Sequence, residues 1–202
     1  MDYPSFFDQA PTITVRDPLS EFLGSFAGGV VEYRYLDAVK LSGHSCPTVA
    51  GAYLMTLKAL KALYGDETPE RGAIRVFFPD DLDAGVTGVM AQVTTLITGA
   101  AGEGGFKGIG PNFDRSGLLN FGGGGACEIA FERTDTGKRV ETAFNASMVP
   151  MADEARMLLG RLIAGQASAG ESARFGELWQ DRVRRLMIDH GDDPALVAIR
   201  LC

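Results

Sequence analysis

Leu41-Ser42-Gly43-His44-Ser45-Cys46-Pro47 runs straight into Thr48-Val49-Ala50-Gly51-Ala52-Tyr53-Leu54, and this junction decides how the chain is read. Pro47 suits the first turn of a helix, where its missing N–H costs no hydrogen bond. From there Val49, Tyr53, Leu54, Leu57 and Leu60 recur at helical spacing to about Tyr64, and Gly65-Asp66 ends the run. The corner in front of this helix holds one of only two histidines and one of only three cysteines in the chain. The sequence on either side reads as scaffold for it.

Working back from the corner, Val30 to Tyr35 is β-branched and aromatic with polar residues between, a strand pattern that passes through Leu36 to Lys40 as a connection. Asp17-Pro18 predicts a helix start, with an N-cap acceptor and then a first-turn proline. Leu19, Phe22, Leu23 and Phe26 continue it until Gly28-Gly29. The residues up to Val15, with Phe6 and Phe7, read as an arm packed on the body or on a neighbouring protomer.

Working forward, Ala73 to Phe78 is a short strand that runs into the acidic turn Pro79-Asp80-Asp81-Leu82-Asp83. Val86, Val89, Met90, Val93 and Ile97 mark a second helix, and the lack of any charge from Ala84 to Ala101 predicts burial on nearly all sides. Gly99 to Gly110 is a glycine-rich loop. Leu118 to Phe121 is a strand, and Cys127 to Arg133 with Lys138 to Phe144 forms a hairpin. Helical patterns follow at Met151 to Ile163 and Ala173 to His190, with a last short helix around Pro194 to Ile199. The class is α+β: a mixed or antiparallel sheet packed with helices, plus a helical C-terminal section. Residues 1–149 form the core with its N-terminal arm, and residues 150–202 the helical section packed on it.

Composition narrows the function. A net charge of −7 with no basic stripe argues against a nucleic-acid surface, which needs clustered Lys and Arg. No stretch approaches the roughly 20 consecutive apolar residues of a membrane span, and Met1-Asp2-Tyr3-Pro4 does not open a secretory signal. Three cysteines without a C-x-x-C make a disulfide framework and a four-cysteine zinc module poor fits. The expectation is a reduced cytoplasmic protein.

A thiol at a helix N-terminus meets unpaired backbone N–H groups and the positive end of the dipole, and both favour the thiolate, the nucleophilic and metal-binding form. His44, two residues earlier, can reach the same point if the loop folds back. His44 and Cys46 are ligands of the kind taken by Zn²⁺, Cu or Fe, yet two ligands do not close a metal site. The ordinary alternative is a small buried thiol and a hydrogen-bonding histidine. Asp83 is a candidate third ligand, or else a cap for the second helix. Cys127 and His190 read as a core thiol and a surface histidine, and Cys202 as frayed.

In the glycine-rich loop neither phosphate-binding motif can be read. Flexible backbone at Gly104 and Gly105, with Lys107 as counter-charge, could still approach an anionic cofactor.

Gly43-His44-Ser45-Cys46-Pro47 followed by Thr-Val-Ala-Gly-Ala-Tyr resembles the FmdE family, whose members are linked to formylmethanofuran dehydrogenase operons. The likeness continues at Asp83-Ala84-Gly85-Val86, at Thr98-Gly99 with the glycine and lysine loop, and from Phe131-Glu132-Arg133 to Asp135-Thr136-Gly137-Lys138. It spans roughly Val30 to Phe144. The resemblance implies an α+β core, commonly dimeric, with a metal such as zinc at the His/Cys corner, and so makes His44 and Cys46 its ligands. Ala84 and Ala100 stand where many members carry cysteines, and Thr48 where the motif has glycine.

Two functions follow as expectations. One is an FmdE-like metal-binding protein acting on a small-molecule ligand, with Cys46 as thiolate if it is an enzyme. The other is a non-catalytic binding module, or an accessory subunit, that holds an anionic cofactor or a partner enzyme. A homodimer is expected in either case.

Overall fold

The computed structural model describes residues 2–202. Its first turn, Ser5–Asp8, buries Phe6 and Phe7 against Tyr35, so the N-terminal arm packs on its own body. Strand β1 (Ile13–Arg16) follows and pairs antiparallel with β2 (Val30–Tyr33), Ile13 opposite Tyr33. Between them α1 (Pro18–Phe22) is capped as its sequence requires: the Asp17 carboxylate accepts the N–H groups of Leu19 and Ser20 at 3.0 and 3.2 Å. This helix stops at Phe22 rather than continuing to the Gly28-Gly29 pair, and Phe22, Leu23 and Phe26 are exposed. Of these side chains Phe22 meets the Phe113 ring, 5.3 Å between centroids, at the surface.

The segment expected to be a connection is helix α2 (Tyr35–Ser42), which starts where the Arg34 N–H donates to the Asp37 carboxylate at 2.8 Å. Gly43, in the left-handed region at φ 74°, terminates it and turns the chain into the His44–Cys46 corner. Helix α3 (Pro47–Tyr64) then crosses the molecule, with Tyr53, Leu54, Met55, Leu60 and Leu63 at most 2% exposed. Each such side chain removes enough apolar surface from water to contribute about 1.5–3 kcal/mol.

Strand β3 (Ile74–Phe77) leads through the acidic turn to α4 (Thr87–Thr98). A small hairpin of β4 (Lys107–Ile109) and β5 (Asn112–Asp114) occupies the end of the glycine-rich loop. Then come β6 (Leu119–Asn120), β7 (Ile129–Arg133) and β8 (Arg139–Phe144), and the last two form the expected hairpin. The C-terminal section contains α5 (Asp153–Ile163) and α6 (Ala169–Arg184), the latter capped by Ser168 and extended by a wider turn over Arg185–Asp189. The final segment, expected as a helix, is strand β9 (Val197–Leu201) paired antiparallel along β8. Val197-Ala198-Ile199 suits either state, and the free edge of β8 decides it.

The principal sheet has the order β6-β3-β7-β8-β9 and is antiparallel except for the β3–β6 pair. Its inward residues, Ile74, Val76, Ile129, Phe131, Val140 and Val197, are almost fully buried on the side where α3 lies. Gly51 of α3 sits so close to β8 that a Cβ there would meet the Phe144 ring at 2.5 Å. Among the described residues no helix is long and apolar enough to cross a membrane.

Helix α4 departs from the expectation of all-round burial. Thr87, Ala91, Val93, Thr94, Ile97 and Thr98 are buried, but Gly88, Gln92, Thr95 and Leu96 line an open groove. The stretch lacks charge, yet Gln92 and Thr95 lie beside Leu96 on its open face.

Candidate functional site

The corner joins the end of one helix to the start of another. Tyr35 opens α2, Gly43 ends it, and Pro47 opens α3. Cys46 is the N-cap of α3: its backbone is extended and its Sγ accepts the Val49 N–H at 3.5 Å. The thiol is buried, as the ordinary reading of a lone cysteine requires, yet it lies where that reading and the metal reading coincide. His44 is exposed, and its Nδ1 donates to the Ser42 carbonyl at 2.9 Å. A carbonyl can only accept, so Nδ1 carries a proton in this contact, and in the neutral ring the lone pair is then on Nε2. That tautomer is the one in which a histidine commonly binds a metal through Nε2.

Between the two, Ser45 is held from both sides. Its hydroxyl lies 2.9 Å from the Tyr35 hydroxyl inside the core. Its carbonyl accepts from Trp179 Nε1 at 3.0 Å and from Gln180 Nε2 at 3.2 Å, both on α6. Burial pushes the Tyr35 phenol well above its ordinary value, only partly offset by the Ser45 hydrogen bond, so it stays protonated. Tyr35 in turn packs edge-on against Phe7 and Tyr53, with ring centroids 5.2 and 5.6 Å apart. Trp179 and Gln180 carry no motif. The only trace in the sequence is the tryptophan of an amphipathic helix, the only one in the chain.

The other candidates scatter. Asp83 does not cap α4, which has Val86 at its N-cap and no side-chain cap bond. It is exposed at the edge of a groove of about 730 Å³, lined also by Leu41, Leu82, Gln92, Leu96, Gly102 and Phe121. The groove thus brings together the end of α2, the acidic turn, α4 and the start of the glycine-rich loop. His44, Cys46 and Lys107 do not line it. Lys107 Nζ folds back onto its own loop, donating to the Glu103 carbonyl at 2.5 Å. Gly104 faces open space, whereas a Cβ on Gly105 would lie 2.7 Å from Ala101 Cβ, so close chain packing accounts for that glycine.

Arg71 forms part of the groove wall and is already engaged. Its Nη1 donates to Asp17 at 2.9 Å, and its Nε and Nη2 donate to the Leu96 carbonyl at the end of α4. Arg115 Nη2 donates to the other Asp17 oxygen at 2.5 Å. Cys127 is a free, half-buried thiol pushed upward by burial and by the nearby Glu141 carboxylate, which disfavours the thiolate. Cys202 is free and exposed.

Among the described residues, no three His, Cys, Asp or Glu side chains come together as a metal-holding group. The donor chemistry at the corner nevertheless fits zinc in part: one imidazole Nε2 with its tautomer fixed and one thiol at a helix N-terminus. The remaining positions would fall to water, a small ligand or a group from another chain. No protein-family model matches this chain, and no curated protein matches it at a significant level.

Proposed function

We propose that this is an FmdE-like metal-binding protein of the cytoplasm, with His44 and Cys46 donating to a transition metal, zinc first among the candidates. The observation that supports this reading is the pairing of a histidine whose Nδ1 is committed to Ser42 with a cysteine at the N-cap of a long helix. The Ser42 bond orients the imidazole before any ligand arrives. When bound, zinc would polarise a carbonyl or lower the pKa of a water molecule. The chain's own part is to present Nε2 to solvent, to keep Sγ beside the Val49 N–H, and to hold the intervening peptide rigid. If the protein is an enzyme, Cys46 is the alternative nucleophile. The exposed apolar side chains Phe22, Leu23, Phe26, Leu82 and Val86 support a homodimer.

A second reading rests on the groove: a non-catalytic binding module, or accessory subunit, in which the volume beside α4 takes a small molecule. Lys107 is turned toward its own loop and Arg71 toward Asp17, so the apolar lining favours a largely apolar ligand over an anion. One experiment separates the two. Protein reconstituted with zinc and desalted is analysed for metal, beside the His44→Ala/Cys46→Ser double variant, and both are titrated with an environment-sensitive apolar dye. Zinc retained by the wild type and lost from the double variant is the expected result. Equal metal in the two would overturn the first reading, and dye binding unchanged by the double substitution but lost in Leu96→Glu would favour the second.

A further inference from the structure

The two residues that donate to the Ser45 carbonyl come from neighbouring positions on α6, far away in sequence, and they converge on one oxygen. An ordinary helix docks on a body through apolar packing. Here two N–H donors are spent on the single carbonyl between His44 and Cys46. For Gln180 the contact leaves its own amide oxygen buried without a donor. Turning the amide over would set that oxygen against the Ser45 carbonyl, so its orientation is fixed by the contact with the corner. On the opposite side Tyr35, fully buried, fixes the Ser45 hydroxyl. Ser45 is therefore held at both its side chain and its carbonyl, while His44 projects outward and Sγ lies at the N-cap.

We infer that Trp179 and Gln180 are positioning residues of the His44–Cys46 corner: through the Ser45 carbonyl, the C-terminal helical section sets the geometry of both donors. The metal arm of this inference rests on the reading proposed above; the thiol arm does not. Ser45 sits between the two donors in the chain, so a rotation of its carbonyl would shift Cys46 relative to His44. The N-cap bond to Val49 is long and weak, and does not hold Sγ by itself. The lock comes from α6.

The test uses the full chain in a Cys127→Ser/Cys202→Ser background, so that Cys46 is the only thiol. Trp179→Phe/Gln180→Leu removes both donors and keeps an aromatic ring beside Phe175. Arg182→Ala is the comparator, because it loosens α6 from the Ala146 and Val149 carbonyls without touching Ser45. Two readouts are taken on protein shown by circular dichroism to be folded: the rate of iodoacetamide alkylation of Cys46 without metal, and Co²⁺ affinity with the intensity of its thiolate absorption band. The expected result is alkylation at least tenfold faster and Co²⁺ affinity at least tenfold weaker in the double variant, with Arg182→Ala near the parent in both. An unchanged alkylation rate would overturn the inference, as would an equal change in Arg182→Ala. Faster alkylation of the double variant, with a parent protein that binds no Co²⁺, would support the clamp while removing the metal reading.

Discussion

At the scale of single residues, Gly51 shows how closely the central helix and sheet approach. The resemblance treats it as part of a motif, but its physical reason is the Phe144 ring, which fills the space a side chain would need. Gly51→Ala should destabilise the fold by about 1–3 kcal/mol, as overpacking of a filled core does. Thermal unfolding should register this as a drop of roughly 2–4 °C per kcal/mol for a chain of this size. Adding Phe144→Leu should recover much of the loss, and an equal melting temperature for Gly51→Ala and wild type would refute the packing account. The position of His44 and Cys46 ahead of the helix was legible at this scale, because Pro47 and the apolar period after it mark where the helix begins. Asp83, Lys107, Gly104 and Gly105 were not, because loop residues are placed by contacts that spacing cannot convey. Lys107 bonds to Glu103, and Gly105 is required by Ala101.

At the scale of elements, α3 was readable from end to end, since proline, apolar period and glycine all agree. Helix α2 was not: Tyr35 and Leu36 continue the β-like run of Val30 to Tyr33, and only the Arg34–Asp37 bond marks the switch. The strand β9 was also hidden, because its partner edge is defined by residues far back in the chain. The N-cap of α3 gives a prediction that separates structure from chemistry at Cys46. A serine hydroxyl is a better acceptor for the Val49 N–H than a thiol, and alanine offers none. Cys46→Ser should therefore keep or raise the melting temperature, while Cys46→Ala should lose about 1 kcal/mol relative to it. Equal stability of the two variants in urea titrations would mean that Sγ contributes nothing as a cap.

At the scale of the whole molecule, Asp17 joins three parts that are remote in sequence. It caps α1, receives Arg71 from just before β3, and receives Arg115 beyond the small hairpin. Burial pushes its carboxyl up, but the Arg71 and Ser20 hydrogen bonds and the Arg115 charge outweigh this and leave it below the ordinary 3.8. Because the folded value is the lower one, its stabilisation is fully present above the unfolded value and is lost as pH falls through the folded one. Asp17→Asn leaves two partly buried guanidinium groups short of their counter-charge and should cost about 1–3 kcal/mol at neutral pH, less than full burial would give because solvent screens the pair. Denaturant unfolding of both proteins from pH 7 to pH 3 should show the gap closing below about pH 4. A gap that does not depend on pH would show that the carboxylate charge is not what binds these parts. No local pattern foretold this link, since Asp17 announced itself only as a helix cap.

The return of β9 to the sheet also bears on how the chain folds as it is made. Strand β8 carries an unpaired edge from the moment it forms until Val197–Leu201 arrives, and α5 and α6 are synthesised in between. At roughly 5–20 residues per second that edge stays bare for seconds, open to pairing with another chain. The same interval leaves the Ser45 carbonyl without its two donors, because α6 emerges only shortly before β9. Pairing of the β8 edge and alignment of the corner are thus late and nearly simultaneous, and the outer edge of the sheet passes to β9 as the corner gains its ordered donors.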